Sequence, residues 1–491
     1  MKTELVHSNW DAIESDVLII PLFEDENLEE GLPAELNRKL EGLLQEMKAT
    51  EEWKGKAGQS TVIYRPAHLK AGRLVLLGAG KRADYKTDTI RRTTFQAMRK
   101  IKNYNMKRVA FYRRSEVSPE RAAQSAVEGL VLATFDPDGY KTEGKSKTHL
   151  EEVLLASGEP LDRLKVEESM KRGQILGEAT NLARSLINEP GNRVNPPFLA
   201  EKAREIAERY GLEVEVLGQP EMEKRGMNAI LAVAQGSDEP ARFIVLKHFG
   251  DPRSEASPVV FIGKGVTFDS GGLSLKPAQS MEEMKSDKAG GCAVLAAMQA
   301  IAELQIKKNV IGLIPAVENL PSGRAQRPGD VIRTMSGKTV EVINTDAEGR
   351  LIVADALHYA RDFSPEFVID LATLTGACIV ALGHIRAGLF SNNDELCERL
   401  LQAAERSGEK LWRLPLDDEY RKELDSDIAD LKNVGTRWGG AITAAKFLEE
   451  FVGDLPWCHI DMAGVDLFKE GQEPKGPTGF GVRTLVEMVS T

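Results

Sequence analysis

Two stretches of the chain concentrate residues able to do chemistry. The first, Phe261–Gly291, reads FIGKGVTFDSGGLSLKPAQSMEEMKSDKAGG and sets Lys264, Asp269, Lys276 and Asp287 among glycines. The second, Val340–Ala354, reads VEVINTDAEGRLIVA and carries Asp346, Glu348 and Arg350 at alternate positions. That spacing puts all three on one side of an extended chain. Gly349 lets the backbone come close to whatever is bound. A helix after this run would aim its N-terminus at the same place, which suits an anion near Arg350. Taken singly, each charge also reads as a solvated loop residue, and Asp346 or Glu348 as a helix cap.

Together the two segments offer four carboxylates: Asp269, Asp287, Asp346 and Glu348. Converging without a cation, they would repel, and some would stay protonated. Two divalent ions match four negative charges. Carboxylate-rich sites bridging two metals about 3.5–4 Å apart are a recurring hydrolytic device. A lysine joins such a site only as the neutral amine, and coordination supplies the drive to lose its proton. The second lysine and the arginine would then stabilise developing negative charge. The charge count alone also allows a two-metal phosphoesterase. Gly263-Lys264-Gly265 looks like a phosphate loop, but neither G-x-x-x-x-G-K-[ST] nor G-x-G-x-x-G with a well-placed acid is present.

Composition narrows the chemistry further. The 491 residues hold 64 Lys+Arg against 75 Asp+Glu, a net charge of −11, which argues against nucleic acid as the main ligand. Hydrophobic residues at 42% and charged residues at 28% fit a globular protein with a sizeable core. The four cysteines (Cys292, Cys378, Cys397, Cys458) form no C-x-x-C pair, so neither a disulfide framework nor a thiolate zinc site is expected. None has a histidine placed to activate it, and they read as buried thiols. No two of the seven histidines sit at a metal-ligand spacing, so a metal site must be built mostly from oxygen ligands. The N-terminus MKTELVHSNWDAIESD lacks a basic segment followed by an apolar run. The longest uncharged stretch, Leu371–Ile385, is too short to span a bilayer. A cytoplasmic protein is expected.

The elements that must position these residues alternate between strand and helix. Val17–Leu22, Leu74–Gly78, Val109–Tyr112 and Val153–Ala156 have strand character, and Pro33–Met47, Thr87–Lys102 and Pro119–Leu132 have helical periodicity. Gly139–Lys147 is polar and reads as an exposed loop. A long helix, roughly Asp162–Leu186, ends at the breaker Asn188-Glu189-Pro190-Gly191-Asn192. The pattern then repeats. Glu213–Leu217, Ile230–Ala234, Phe243–Lys247, Val259–Gly263, Val310–Pro315 and Phe367–Leu371 read as strands. Pro197–Tyr210, Gly291–Leu304 and Arg350–Arg361 read as helices. The expected fold is α/β with two domains, each a mixed or largely parallel sheet flanked by helices, joined by a long helix. The boundaries are set at 1–165 for the N-terminal domain, 166–190 for the linker helix and 191–491 for the catalytic domain. Both chemical segments begin at or near a strand, and open α/β sheets place their sites at the carboxyl ends of strands.

The run Asn344-Thr345-Asp346-Ala347-Glu348-Gly349-Arg350-Leu351 resembles the signature of the leucyl (cytosol) aminopeptidase family of dinuclear metallopeptidases. The first segment resembles the same family at Gly263-Lys264-Gly265, at Thr267 through Gly272, at Ser274-Leu275-Lys276 and at Met284 through Asp287. Pro328 through Val331, Asp370 through Gly376 and Asp461 through Gly464 extend the resemblance over nearly all of the second part. The first part is similar only in its α/β pattern and length.

The resemblance implies a broad, Leu-type aminopeptidase acting on peptides with a free N-terminus. It implies two divalent ions, Mn²⁺ or Zn²⁺, on Lys264, Asp269, Asp287, Asp346 and Glu348. Asp269 and Glu348 would touch both ions, Asp287 and Lys264 one, and Asp346 the other. Lys276 and Arg350 would be the catalytic groups that bind no metal. Lys276 would stabilise the oxyanion, and Arg350 would hold a bicarbonate acting as general base. Met284, Thr373, Gly376 and Ala463 would wall the side-chain pocket. The resemblance further implies a homohexamer, with an oligomer or regulatory role for the N-terminal domain. Some bacterial members also bind nucleic acid, for which Lys141–Lys147 is the one obvious basic loop. The intact catalytic set argues against a purely binding role. Two residues depart from the pattern. Lys288 follows Asp287 where an apolar residue is expected, and Asp466 stands where the pocket floor is often apolar or small. An acidic floor would favour basic or polar first residues over Leu.

Overall fold

Runs of Val, Ile and Leu that are too short for helices become strands buried on both faces. The computed structural model describes residues 1–104, 106–145, 149–253, 256–469 and 475–490. The chain divides into two units, Met1–Glu178 and Ala179–Thr491. The division falls inside the helix Arg163–Asn188.

The first unit holds strands β1 (Lys2–His7), β2 (Val17–Leu22), β3 (Ser60–Tyr64), β4 (Arg73–Gly78), β5 (Arg108–Tyr112) and β6 (Glu152–Ser157). Their order is β1-β6-β5-β2-β4-β3, parallel throughout except for β3. Alternation of side chains sorts the two faces. Val17, Ile19, Val75 and Leu77 pack with Met98, Val127 and Leu130 of the helices Thr87–Ile101 and Pro119–Leu132. Leu18, Ile20, Leu74 and Leu76 pack with Leu36, Leu44 and Trp53 on the other face. The helix expected over Pro33–Met47 is two helices, Gly31–Lys39 and Leu43–Ala49. Between them Glu41 and Gly42 take left-handed backbone, with φ of 55° and 88°, which no continuous helix can accommodate. The loop from Gly139 is exposed through Lys145, and Ser146 and Lys147 lie outside the described residues.

The second unit holds β7 (Glu213–Leu217), β8 (Arg242–Phe249), β9 (Val259–Gly263), β10 (Gly265–Asp269) and β11 (Asn309–Asn319). They are followed by β12 (Val331–Arg333), β13 (Thr339–Glu341), β14 (Phe367–Ala372), β15 (Ala387–Ser391), β16 (Leu411–Arg413), β17 (Leu431–Lys432) and β18 (Trp457–Asp461). The large sheet runs β16-β15-β18-β14-β9-β11-β8-β7, with β10 paired to β11, while β12, β13 and β17 form a small sheet of their own. The central strands β18, β14, β9 and β11 are parallel neighbours, so their carboxyl ends share one edge. Val260, Ile262, Ile311 and Leu313 pack against Leu351, Ile352 and Ala356 of the helix Glu348–Ala360. The opposite face takes the helix Ala289–Glu303, buried from Ala289 through Ala302, whose Val294 and Met298 side chains close on Gly312.

Ile230–Ala234, expected as a strand, lies in the helix Asn228–Ala234. Its cap is a distant side chain. Buried Asp355 accepts the N–H groups of Ala229 at 2.9 Å and Ile230 at 3.2 Å through Oδ2, and that of Met335 at 2.8 Å through Oδ1. The first two are orphan donors of a helix start, the third belongs to the turn after β12, and a buried donor left unpaired is destabilising. Asp355→Ala is therefore expected to lower stability by about 2 kcal/mol. The check is a drop in the urea midpoint with unchanged secondary structure at zero denaturant.

Candidate metal centre

The carboxyl ends of the parallel strands gather the two chemical segments. Lys264 follows β9, Asp269 ends β10, and Thr373 follows β14. Between β10 and β11 the register shifts from Val266 to Asp269, a bulge that re-aims the Asp269 side chain. Glu348 is the first residue of the helix Glu348–Ala360, with Asp346 in the loop before it. The alternating run Asp346, Glu348, Arg350 is thus not one extended strand. The helix starts two residues earlier than its apolar pattern suggests, because Glu348 and Arg350 turn inward and are buried.

Two lysines knit the acids together. Lys264 Nζ lies 2.8 Å from Asp287 Oδ1 and 2.7 Å from Glu348 Oε1, and donates to the Thr373 carbonyl at 3.0 Å. Lys276 Nζ lies 2.9 Å from Asp269 Oδ2 and also contacts Asp346 Oδ1. Oxygens of Asp269, Asp346 and Glu348 come within 4.8 Å of one another. Two ammonium groups offset only half the charge of four carboxylates. Burial pushes all four carboxyls above the usual range. Burial works against the charge of both lysines as well, but the surrounding carboxylates win and hold both above the usual lysine range.

The carboxylate oxygens are under-satisfied. Asp287 Oδ2 is buried without any hydrogen-bond donor. Asp346 Oδ1 and Glu348 Oε1 face their lysines at ion-pair distance but outside hydrogen-bond alignment. Buried anionic oxygens without donors are the donor set that a hard cation takes. These residues fit divalent ions.

Further residues fix this set, and sequence reasoning did not single them out. Asn319, at the end of β11, donates to Asp269 Oδ1 at 2.8 Å and to the Thr345 carbonyl at 3.1 Å. Thr345 donates to the Gly271 carbonyl at 2.6 Å and accepts from Ser274 N at 2.8 Å, which joins the loops carrying Lys276 and Asp346. Asp461 ends β18 and accepts from Thr375 Oγ1 at 2.7 Å and from Leu374 N at 3.1 Å, which shapes the turn bearing Thr373. A polar residue closing an apolar strand was the available signal for Asn319 and Asp461.

Arg350 is buried, and Nη1 donates to the Asn433 carbonyl at 2.7 Å. Its Nε has no internal acceptor, and burial pushes the guanidinium down to about 10. A buried guanidinium with a spare N–H is suited to an anion. Met284, Thr373 and Ala463 are half-buried and Gly376 is exposed. Thr373 Oγ1 donates to Asp287 Oδ1 at 2.7 Å. Asp466 is 4% exposed and accepts from Ser286 Oγ at 2.8 Å. Lys288 is fully buried, and its ammonium donates to the Glu189 carbonyl at 2.8 Å. All four cysteines are buried, and burial pushes Cys292, Cys378 and Cys458 up to about 12, so none is a ready thiolate.

Residues 181–486 match the catalytic domain of the cytosol aminopeptidase family, and residues 19–144 match its N-terminal domain. The chain belongs to the cytosol aminopeptidase family. A probable cytosol aminopeptidase of Solibacter usitatus is 46% identical over 478 residues, covering 97% of this chain and 96% of that protein. One from Alkaliphilus oremlandii is 43% identical over 498 residues, covering 100% and 99%. Among solved structures, a mutant of tomato leucine aminopeptidase superposes with a TM-score of 0.91 at 36% identity, covering 100% of this chain and 96% of that one. The bottromycin maturation enzyme BotP in complex with Mn gives 0.85 at 33% identity, covering 97% and 99%. The chain is accordingly a peptidase, a metal-dependent aminopeptidase. Among the described residues no helix is long and apolar enough to cross a membrane.

One position of the aminopeptidase tests this packing directly. A Cβ on Gly349 would lie 2.6 Å from both Cε and Nζ of Lys264. Alanine at a helix position ordinarily stabilises by about 1 kcal/mol over glycine. Here Gly349→Ala is expected to displace the Lys264 ammonium and to lower kcat/KM by about 100-fold. Amide hydrolysis rates measured beside an unchanged circular-dichroism spectrum are the check.

Proposed function

We propose that Lys264, Asp269, Asp287, Asp346 and Glu348 hold two divalent ions, manganese or zinc, and that the enzyme removes N-terminal residues of Leu type, with broad tolerance, from peptides. The observation that carries this reading is the carboxylate cluster in which Asp287 Oδ2, Asp346 Oδ1 and Glu348 Oε1 are buried without a hydrogen-bond donor. When bound, the two ions supply a Lewis acid for the scissile carbonyl, a position for the free α-amine and a lowered pKa for the attacking water.

The chain's own groups do the rest. Lys276 sits at the rim with 14% of its side chain exposed, where its ammonium can donate to the carbonyl oxygen as negative charge develops. Arg350 offers its free Nε–H to an anion, bicarbonate in this reading. An anion held there would supply a base to take the water's proton and return it to the leaving amine. Met284, Thr373, Gly376 and Ala463 form the walls of the first-residue pocket. The hydroxyl of Thr373 is engaged with Asp287, which leaves its methyl for contact. The Asp466 carboxyl is buried against Ser286, which supports an apolar first residue over a basic one. The reading includes a homohexamer, in which contacts between copies would cover exposed apolar side chains of the catalytic unit such as Val380, Trp438 and Ile385.

Exhaustive chelation is expected to abolish hydrolysis of leucine amide, and Mn²⁺ or Zn²⁺ to restore it. Full activity with no bound metal would overturn the reading. Lys276→Met is expected to lower kcat by about 10²–10³ while two ions remain bound. A pH effect follows from the raised carboxyls and from the ammonium of Lys264. Each site proton must leave before an ion enters, so binding releases protons and apparent affinity rises with pH. Titration of the apoenzyme with Mn²⁺ in weakly buffered solution, followed by a pH electrode, checks the sign: acidification is expected.

A further inference from the structure

Asp287 is anchored differently from the other acids of the site. Asp269 lies on a strand of the large sheet, and Glu348 opens a thirteen-residue helix. Asp287 lies between a single short turn, Met284–Ser286, that belongs to no sheet, and the start of the helix Ala289–Glu303, and its carboxylate accepts from Thr373 Oγ1 at 2.7 Å. Its main-chain tie within that turn is Asp287 N to the Met284 carbonyl, at 3.3 Å. A ligand must be held to within about half an ångström, and a turn of this length does not supply that by itself.

Side chains of the turn supply it, each in a different direction. Lys285 Nζ donates to the Asn188 carbonyl at 2.9 Å. Ser286 Oγ donates to Asp466 Oδ2 at 2.8 Å, with Ser286 3% and Asp466 4% exposed. Lys288 Nζ donates to the Glu189 carbonyl at 2.8 Å and to the Lys285 carbonyl at 2.5 Å. Asn188 ends the helix Arg163–Asn188, so two ammonium groups meet the carbonyls at its negative end. The turn is thereby pinned between a helix end on one side and Asp466 on the other. Asp466 is in turn fixed through its own carbonyl, which accepts from Thr478 N at 2.9 Å. The two departures from the family pattern, Lys288 and Asp466, are the two ends of this clamp.

We propose that Ser286, Lys288 and Asp466 are positioning residues that hold Asp287, so that one of the two metal positions depends on them and the other does not. The inference rests on the reading that Asp287 holds an ion. Releasing the clamp leaves Asp269 and Asp346 in place on Asn319 and Thr345, while Asp287 is left to the Thr373 hydroxyl, Lys264 and the helix start and can shift with Met284. The consequence is selective weakening of one ion. Loss of an outer partner of a metal ligand ordinarily lowers affinity by about 10–100-fold.

Calorimetric titration of the apoenzyme with Mn²⁺ separates the outcomes. The unaltered enzyme is expected to bind two ions. Ser286→Ala and Lys288→Met are each expected to weaken one ion by about 10-fold and leave the other unchanged, with Ser286→Thr restoring both. A merely structural role would lower thermal stability without splitting the two binding steps. Two unaltered affinities in Ser286→Ala would overturn the proposal. Should Lys288→Met not fold, Ser286→Ala and Ser286→Thr decide alone. Failure of the unaltered enzyme to bind any ion is a different result, and it would overturn the metal reading itself.

Discussion

Four carboxylates gathered at one edge of a sheet, three of them buried, are the constraint on which the rest of this structure depends. Burial raises the proton affinity of each, and the neighbouring like charges add to the effect. Two lysines relieve it in part, each lying between two acids. That arrangement explains why a lysine, and not a histidine, occupies the position after β9. A long flexible side chain can satisfy Asp287 and Glu348 while the site is charged only by protons. In the proposed reading, the same amine would serve as a neutral donor to a bound ion once coordination displaces its proton. Gly349 is the cost of that length, because the Lys264 chain runs where a Cβ would otherwise sit.

The sheet answers the constraint by sharing the acids among several elements. Parallel strands end together, so β9, β11, β14 and β18 can each deliver one group to the same small volume. None of these groups is left to hold itself. Asn319 fixes Asp269, Thr373 fixes Asp287, and Asp461 fixes the turn that carries Thr373. Arg350 is fixed by Asn433, whose Oδ1 also accepts the N–H of Ile343 at 2.8 Å just ahead of Asn344 and Thr345. Asn433 directly follows β17 of the small sheet and donates its N–H to the Glu341 carbonyl of β13 at 3.0 Å, which ties that sheet to the chemistry despite its size.

Most of the fold was legible because its signals are local. Buried strands such as Val259–Gly263 are continuous apolar runs, and the helix Pro119–Leu132 starts on a proline. What was not legible depended on distant partners or single backbone angles. Ile230–Ala234 reads as a strand from its β-branched residues, but Asp355, far along the chain, supplies the cap that makes it a helix. Glu41 and Gly42 break a helix whose periodicity continues across them. The residues of the candidate site were legible as types in two short segments. Their grouping followed from the charge count and the family resemblance and not from any local signal, and no local signal shows that Lys264 reaches Glu348 or that Asn319 reaches Asp269. Lys288 and Asp466 stood out only as departures from a pattern, and their contacts give each a physical reason.

The same rule for buried charge governs a second place in the sheet, away from the candidate site. Asp370 on β14 is fully buried and accepts from Trp457 Nε1 at 2.6 Å, while His459 Nδ1 lies 2.6 Å from its other oxygen. Trp457 and His459 both belong to β18. Burial works against charge on His459, yet Asp370 outweighs it and raises the imidazole above its ordinary value. An unpaired carboxylate between two strands would be strongly destabilising, so this interaction fixes the register of β14 against β18. Those two strands end at Ala372 and Asp461, next to Thr373 and the turn it begins. His459 is therefore not a neighbour poised to activate Cys458, whose side chain points to the opposite face of the strand. It is part of the mould that sets where Thr373, and through it Asp287, can stand.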